Sequence, residues 1–486
     1  MKKESKRNWD IVIGLEIHAQ LLTESKIYSS DANQYGCPPN TNISSITLAH
    51  PGSMPKLNKK VVEFAIKMGL ALECDITREN IFDRKNYFYP DLPKGFQLTQ
   101  DKTPICIGGF IPIKTKNGDL KRIKLTKIHM EEDAGKSIHI EGKDESQIDL
   151  NRAGVPLIEI VTEPDIYSSD DAVSALQEVR KIVRYLEICD GNMEEGSFRC
   201  DANVSVKPGG SNTLGKKVEV KNMNSFRSVQ RAIDYEYNRQ VKLLENNEEV
   251  VSETRLYDAA NGTTVGMRTK EELNDYRYFP EPDLSPLYVS EELLNEIKAQ
   301  MPLLPAQLYQ KLIVDYGLPA YDAEVLTEEK AMANYFEEVC VNNKNYKAVS
   351  NWLMGPLKSM LNELNQPIDR FPLKPRKIAD LIKLIDDGKV SFSSASQNLF
   401  PEFVNNPDES PEKLAEKLNL LQESDDKAIL GMIDEVLRAM PDKVKAYKNG
   451  KKGLIGLFMG QLMQKSQGKA DPKLANQLLK DALENI

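Results

Sequence analysis

The apolar pattern of this 486-residue chain changes period once, near residue 290, and no single uniform architecture accommodates both patterns. Before that point, runs alternate with period two between Gly, Pro and Asn turns, as half-buried strands do. After "YFPEPDLSPLYV" (278–289), the segments "SEELLNEIKAQM", "PAQLYQKLIVDYG", "TEEKAMANYFEEVCV" and "YKAVSNWLMGPLKSML" read as successive helices, with Ser, Thr or Pro starts and Gly or Pro stops. Helical spacing also appears earlier, over 58–72, 170–188 and 225–245, the last two behind a polar cap. These are too irregularly placed for repeated βαβ units, which makes the first part α+β. A Pro/Asn/Asp stretch, "FPEFVNNPDESPEKL" (400–414), reads as a linker to a second helical set, whose last helix is capped by Asp471 and opened by Pro472. The predicted organisation is an α+β body over 1–290, an all-α domain over 291–405 and a small helical tail over 406–486.

No run approaches the ~20 apolar residues of a membrane span, and the polar start "MKKESKRNWD" has no signal-peptide core. A cytoplasmic protein is expected. Six cysteines are scattered with no C-x-x-C pair, which argues against a disulfide framework and a thiolate zinc site. The net charge of −9 is unevenly spread: from Arg438 to Lys480 ten basic residues face two acidic ones. A basic tail on an acidic body suits a phosphate-rich ligand; a solvated lysine face is the plainer reading.

In "IVIGLEIHAQL" (11–21), Ile11, Ile13, Leu15, Ile17 and Ala19 share one face, and Glu16, His18 and Gln20 the other. Glu131, Glu132 and Asp133 form an acidic triplet before a Gly turn, which needs either solvent or a cation. Glu159 stands in "VPLIEIVTEPD", among Leu157, Ile158, Ile160 and Val161. Its charge is expensive there unless a metal or a buried Arg or Lys partners it. Arg199, Asp201 and Asn203 share a face of "SFRCDANVSVK", as Glu219 and Lys221 do in "KKVEVKNMNSF". Hard oxygen ligands with one imidazole suit Mg²⁺ or Mn²⁺, and the cations suit phosphoryl oxygens, the combination that ATP-dependent phosphoryl transfer uses. No P-loop, kinase Gly-rich loop or G-x-G-x-x-G is present, so ATP would bind on a sheet face. "DRKNYFYPDLPKGFQLTQ" (83–100) interleaves aromatics with cations, as either a nucleotide-stacking surface or a packed loop.

Together "VIGLEIHAQL", "DRKNYFYPDLPKGFQLTQ", "HMEEDAGKS", "DLNRAGVPLIEIVTEPD", "MEEGSFRCDANVSV", "EVKNMNSF" and "DYRYFPEPDL" closely resemble the B subunits of the bacterial tRNA-dependent amidotransferases. The resemblance implies a glutamine-synthetase-like cradle and a tail similar to the YqeY proteins that binds tRNA. It implies an ATP-dependent carbon–nitrogen ligase that phosphorylates Asp-tRNA(Asn) or Glu-tRNA(Gln). Ammonia from glutamine, hydrolysed in a partner amidase (A) subunit, then gives the amide; a small C subunit completes the complex. Carried over by motif, His18, Glu132 and Glu159 are the expected Mg²⁺ ligands, with Glu16 beside them. Arg199, Asp201, Asn203 and Lys221 are expected around phosphate and a second metal, and Lys85 and Tyr87 at the aminoacylated 3′ end. Many members bind zinc through two cysteine pairs after the first strand. Here 28–58 holds only Cys37, so no zinc is expected and the loop is to be held by proline and hydrogen bonds.

Two rivals belong to other classes. A stand-alone ligase for a small carboxylate leaves the basic tail unused, and a non-catalytic RNA-binding scaffold leaves Glu159 without a purpose.

Overall fold

The computed structural model describes residues 8–140, 142–269, 276–422, 426–466, 470 and 472–485. Its contacts divide the chain into two units, 1–305 and 306–486.

The first unit is built on a ten-stranded sheet. Its strands are β1 (Trp9–Gln20), β2 (Asp75–Ile76), β3 (Cys106–Ile107), β4 (Phe110–Lys114), β5 (Leu120–Glu132), β6 (Pro156–Thr162), β7 (Phe198–Pro208), β8 (Val218–Met223), β9 (Glu253–Asp258) and β10 (Thr263–Thr269). They lie in the order β10-β9-β8-β7-β1-β6-β5-β3-β2, with β4 also paired to β5. All neighbours are antiparallel except β8 and β9. The expected alternation of β1 is seen: Ile13, Leu15, Ile17 and Ala19 are fully buried, while Glu16, His18 and Gln20 keep partial access on the front face.

The back face is covered by α1 (Lys59–Ala71), α2 (Ser169–Tyr185) and α3 (Phe226–Glu245). Each begins where a side chain takes up an orphan N–H: Asn58 accepts from Lys60, Ser168 from Asp171 and Ser225 from Ser228. The stripe Ala172, Ala175, Leu176, Val179 and Val183 of α2 is fully buried, at the three- and four-residue spacing of one helix face. Each Leu or Val so buried contributes about 1.5–3 kcal/mol. A small sheet of Asp83–Asn86, Phe96–Thr99 and Phe279–Pro280 leans on the end of β5, where Met130 N donates to Gln100 Oε1 at 3.0 Å.

Helix α4 (Glu291–Ala299) buries Leu294 and Ile297 in this same first core, beyond the boundary expected at 290. In the second unit, one core gathers Phe336, Trp352, Phe400 and Phe403, and a separate one gathers Ile429, Ile433, Phe458, Leu462 and Leu479. Pro411–Lys417, expected in the tail, contributes Leu414 and Ala415 to the earlier of these cores. Pro and Asn mark turns, but the apolar face of the following helix decides which core receives it. The final helix starts at Pro472; Asp471 and Lys469 lie outside the described residues, as does the Asp275 that opens "DYRYFPEPDL". Lys443, Lys445, Lys448, Lys451 and Lys452 of the tail are all exposed. No described helix is long and apolar enough to cross a membrane.

Candidate active site

Register builds the site. β1 pairs His18 with Glu159 of β6 and with Arg199 of β7, and β6 pairs Glu159 with His129 of β5. Arg199, His18, Glu159 and His129 therefore stand in one row across four strands, ~4.8 Å apart. Glu159 Oε2 lies 3.5 Å from His18 Nε2 and 3.3 Å from His129 Nε2. His129 Nε2 is also 3.2 Å from Glu131 Oε2, and Lys85 Nζ is 3.7 Å from Glu131 Oε1. The partners of buried Glu159 are thus two imidazoles, neither the Arg nor the Lys that sequence offered as the alternative to a metal.

Burial alone would raise the Glu159 carboxyl, but His129 and His18 beside it hold it well below the usual range. Against the same burial, Glu159 and Glu131 push His129 up to about 9. His18 is raised against its burial by Glu159 and Asp201. Burial opposes the Glu131 charge too, and Lys85 and His129 prevail, holding that carboxyl down.

One pleat along the strands is a second group. Asn203 Nδ2 donates to Glu16 Oε1 at 2.8 Å, and Lys221 Nζ bridges Asp201 Oδ2 at 2.5 Å and Glu219 Oε1 at 2.9 Å. Burial raises Glu16, helped by the charges of Glu159 and Glu219. In the other direction along β1, Asp133 Oδ2 accepts from Gln20 Nε2 at 2.7 Å and from Arg199 Nη2 at 2.8 Å.

Glu132 is not with His18 and Glu159. The alternation of β5 turns it to the opposite side from His129 and Glu131, where Leu98 N donates to its Oε1 at 2.8 Å and Lys94 pairs with it. The triplet is buried throughout, each member with its own cation: Lys85 for Glu131, Lys94 for Glu132, Arg199 for Asp133. Sequence reasoning thus chose the wrong member for the shared cluster and passed over His129, although Met130 marks the apolar face that Glu132 shares. Lys85 reaches the cluster; Tyr87 packs against Tyr89 and Tyr276 and donates its hydroxyl to Gln97 Oε1 at 2.5 Å. The run 83–100 is mainly packed, with Arg84 over Phe96 at 4.4 Å, but Phe88 is 89% exposed.

The loop after β1 is tied by side chains: Asn40 Nδ2 donates to Ile148 O, Asn151 Nδ2 to Pro38 O, and Asn33 Nδ2 to Leu21 O.

Chemically, two donor sets converge. His129, Glu131 and Glu159 each offer a ligand atom within 4.8 Å of the others, and Glu16, Asp201 and Glu219 do the same. The all-oxygen set suits Mg²⁺, and the mixed set suits Mg²⁺ or Mn²⁺, so both fit a divalent cation.

Residues 11–295, which hold this whole front face, match the GatB/GatE catalytic domain, and residues 334–483 match the GatB domain. A Thermosynechococcus vestitus protein, named as the B subunit of an aspartyl/glutamyl-tRNA(Asn/Gln) amidotransferase, is 50% identical, covering 98% of this chain and 96% of its own. The chain belongs to this family. Two more members of the same name, from Thermodesulfovibrio yellowstonii and Thermoanaerobacter pseudethanolicus, are 49% and 46% identical over at least 97% of either chain. Membership of this amidotransferase family thus covers both units, and the catalytic-domain match takes in the two donor sets.

Proposed function

We propose that this chain is the phosphorylating and amide-forming subunit of a tRNA-dependent amidotransferase in the cytoplasm. Its substrates are Asp-tRNA(Asn), Glu-tRNA(Gln), ATP and ammonia. A partner amidase (A) subunit releases the ammonia from glutamine, and a small C subunit joins the complex. The observation that carries the reading is the transverse row Arg199–His18–Glu159–His129 on the open face of a sheet. That face is the working surface of a cradle related to glutamine synthetase; the helical domain follows it through the core that still holds Leu414 and Ala415, and the helices around Ile429, Phe458 and Leu479 form the tRNA-binding tail.

The side-chain carboxylate of the esterified amino acid attacks the terminal phosphorus of ATP, and ADP leaves. Ammonia then attacks the acyl carbon, phosphate departs and the nitrogen loses a proton, giving the amide. His18, Glu159 and Glu131, with His129, would hold one Mg²⁺; Glu16, Asp201 and Glu219 would hold another. When bound, the cations would supply positive charge against the charge that develops on the phosphoryl oxygens in the transition state. Arg199 and Lys221 add fixed positive charge beside the same oxygens, and Asn203 orients Glu16. Lys85 and Tyr87 stand where the aminoacylated end arrives. Zinc has no part in this reading.

The test uses the purified complex with each misacylated tRNA. Glu159→Gln should lower ATP- and tRNA-dependent amide formation at least a hundredfold. It should leave tRNA-independent glutamine hydrolysis by the partner within twofold. Equal loss of both, or retention of amide formation, would overturn the reading.

A further inference from the structure

A cavity of about 300 Å³ opens beside the end of β1, walled by Gln20, Tyr35, Lys136, Asp149, Arg152 and Glu195. Its size is at the lower end for small-ligand sites, roughly 300–1,000 Å³. Gln20 follows His18 on the front face of β1, ~7 Å along the strand. Through the Asp133 oxygen that it shares with Arg199, Gln20 joins the cavity wall to the transverse row.

Tyr35 stands at this cavity 77% exposed, and among the described residues its ring and hydroxyl have no partner. The segment carrying it is not slack. Asn40 accepts from Leu150 N at 2.8 Å and donates to Ile148 O at 2.9 Å, Asn42 N donates to Asn151 Oδ1 at 2.8 Å, and Asn33 anchors the near side. A ring held out by such a frame is a ready stacking platform, because every nucleobase offers a π-face. Two cations line the same cavity, opposite in charge to the carboxylates of Asp149 and Glu195. Lys136 is exposed, and Arg152 is fixed by Nε to Ala134 O at 2.9 Å and by Nη2 to Gly135 O at 2.6 Å.

We infer that this cavity takes the 3′-terminal nucleoside of the aminoacylated tRNA, its base on Tyr35 and its phosphate beside Lys136 and Arg152. The inference rests on the proposed function. Reach supports it: from the ribose ester to the side-chain carboxylate of Asp or Glu is on the order of 5 Å of extended chain. The longer glutamyl chain, extended, comes close to the ~7 Å between Gln20 and His18. The adenine of ATP shares the stacking chemistry, so the test separates the two sources.

The intact complex is titrated with one tRNA in two forms, complete and lacking only its terminal adenosine. The wild type should bind the complete form about tenfold more tightly, in the range of one stacked base. Tyr35→Ala should erase that preference by weakening only the complete form, Tyr35→Phe should keep it, and the KM for ATP should stay within twofold in both. A preference that survives Tyr35→Ala, its absence from the wild type, or a rise in the KM for ATP instead overturns the inference. Failure of the wild-type complex to form amide would instead overturn the proposed function, which is assayed separately on the same preparation.

Discussion

Glu131 and Glu132 are neighbours in sequence and face opposite sides of β5: Glu131 meets His129 at 3.2 Å, whereas Glu132 is paired with Lys94 and Leu98 N. Of the two, only Glu131 shares a cluster with Glu159. This difference separates two carboxylates that composition treats alike. Titrated with Mn²⁺ under paramagnetic detection, Glu131→Gln should bind the tightest ion at least tenfold more weakly, in line with losses at other metal sites. Glu132→Gln should bind it within twofold of the wild type. Equal weakening would place the ion elsewhere.

Lys221 screens the repulsion between Asp201 and Glu219 by touching both. Lys221→Met leaves three carboxylates facing one another, with Glu16 the third. Steady-state kinetics with ATP varied should show a KM for ATP raised about tenfold at fixed Mg²⁺, partly restored by excess Mg²⁺, since one charge unit at short range is worth about 1–4 kcal/mol between bulk water and a protein surface. A change confined to the KM for tRNA would assign Lys221 to the other substrate.

Lys26 is a stability element with a definite pH signature. Its ammonium is buried, donating to Asn42 O at 2.7 Å, and burial lowers it from 10.5 to about 8, only partly offset by Asp31, Glu132 and Asp149. Between those two values the unfolded chain binds more protons than the folded one, so Lys26 makes stability rise with pH from about 8 to 10.5. The gain is on the order of 3 kcal/mol for the first unit. Urea midpoints measured across that window should climb more steeply in the wild type than in Lys26→Met; parallel curves would show that the ammonium titrates normally.

The exposed lysines Lys443, Lys445, Lys448, Lys451 and Lys452 predict an electrostatic share of tRNA binding. Because Leu414 and Ala415 belong to the preceding core, the informative deletion starts at 423 rather than after Asn405. Removing 423–486 should weaken tRNA binding and flatten the plot of log affinity against log salt, by about 0.7–0.9 for each phosphate that the tail neutralises. An unchanged slope would leave the tail without a phosphate to hold.

Much of the scaffold was legible. Alternation in 11–21 identified β1 and its two faces, and the polar residues before 170–188 marked the cap Ser168, whereas Ser225, read as the first residue of 225–245, is itself the cap of its helix. Glu159 was singled out because a charge among Leu157, Ile158 and Ile160 demands a partner. What stayed hidden was register: nothing local says that β1 lies between β6 and β7, or that β5 brings His129 beside Glu159. The misplacement of Glu132 had a local cause. The triplet was read as the edge of a turn, whereas β5 continues through Glu132, and carrying its alternation on would have paired Glu131 with His129. Glu219 went unused for a related reason, since its place beside Glu16 and Asp201 depends on β7–β8 pairing.

The central claim is that the front face of this sheet binds a divalent cation between strands. Anomalous scattering from crystals of the complex grown with Mn²⁺ and a non-hydrolysable ATP analogue tests it most directly. The account predicts a peak within about 2.5 Å of carboxylate oxygens of Glu131 and Glu159. Density that instead shows His18 and His129 closed on Glu159 with no ion between them, at saturating Mn²⁺, would contradict it.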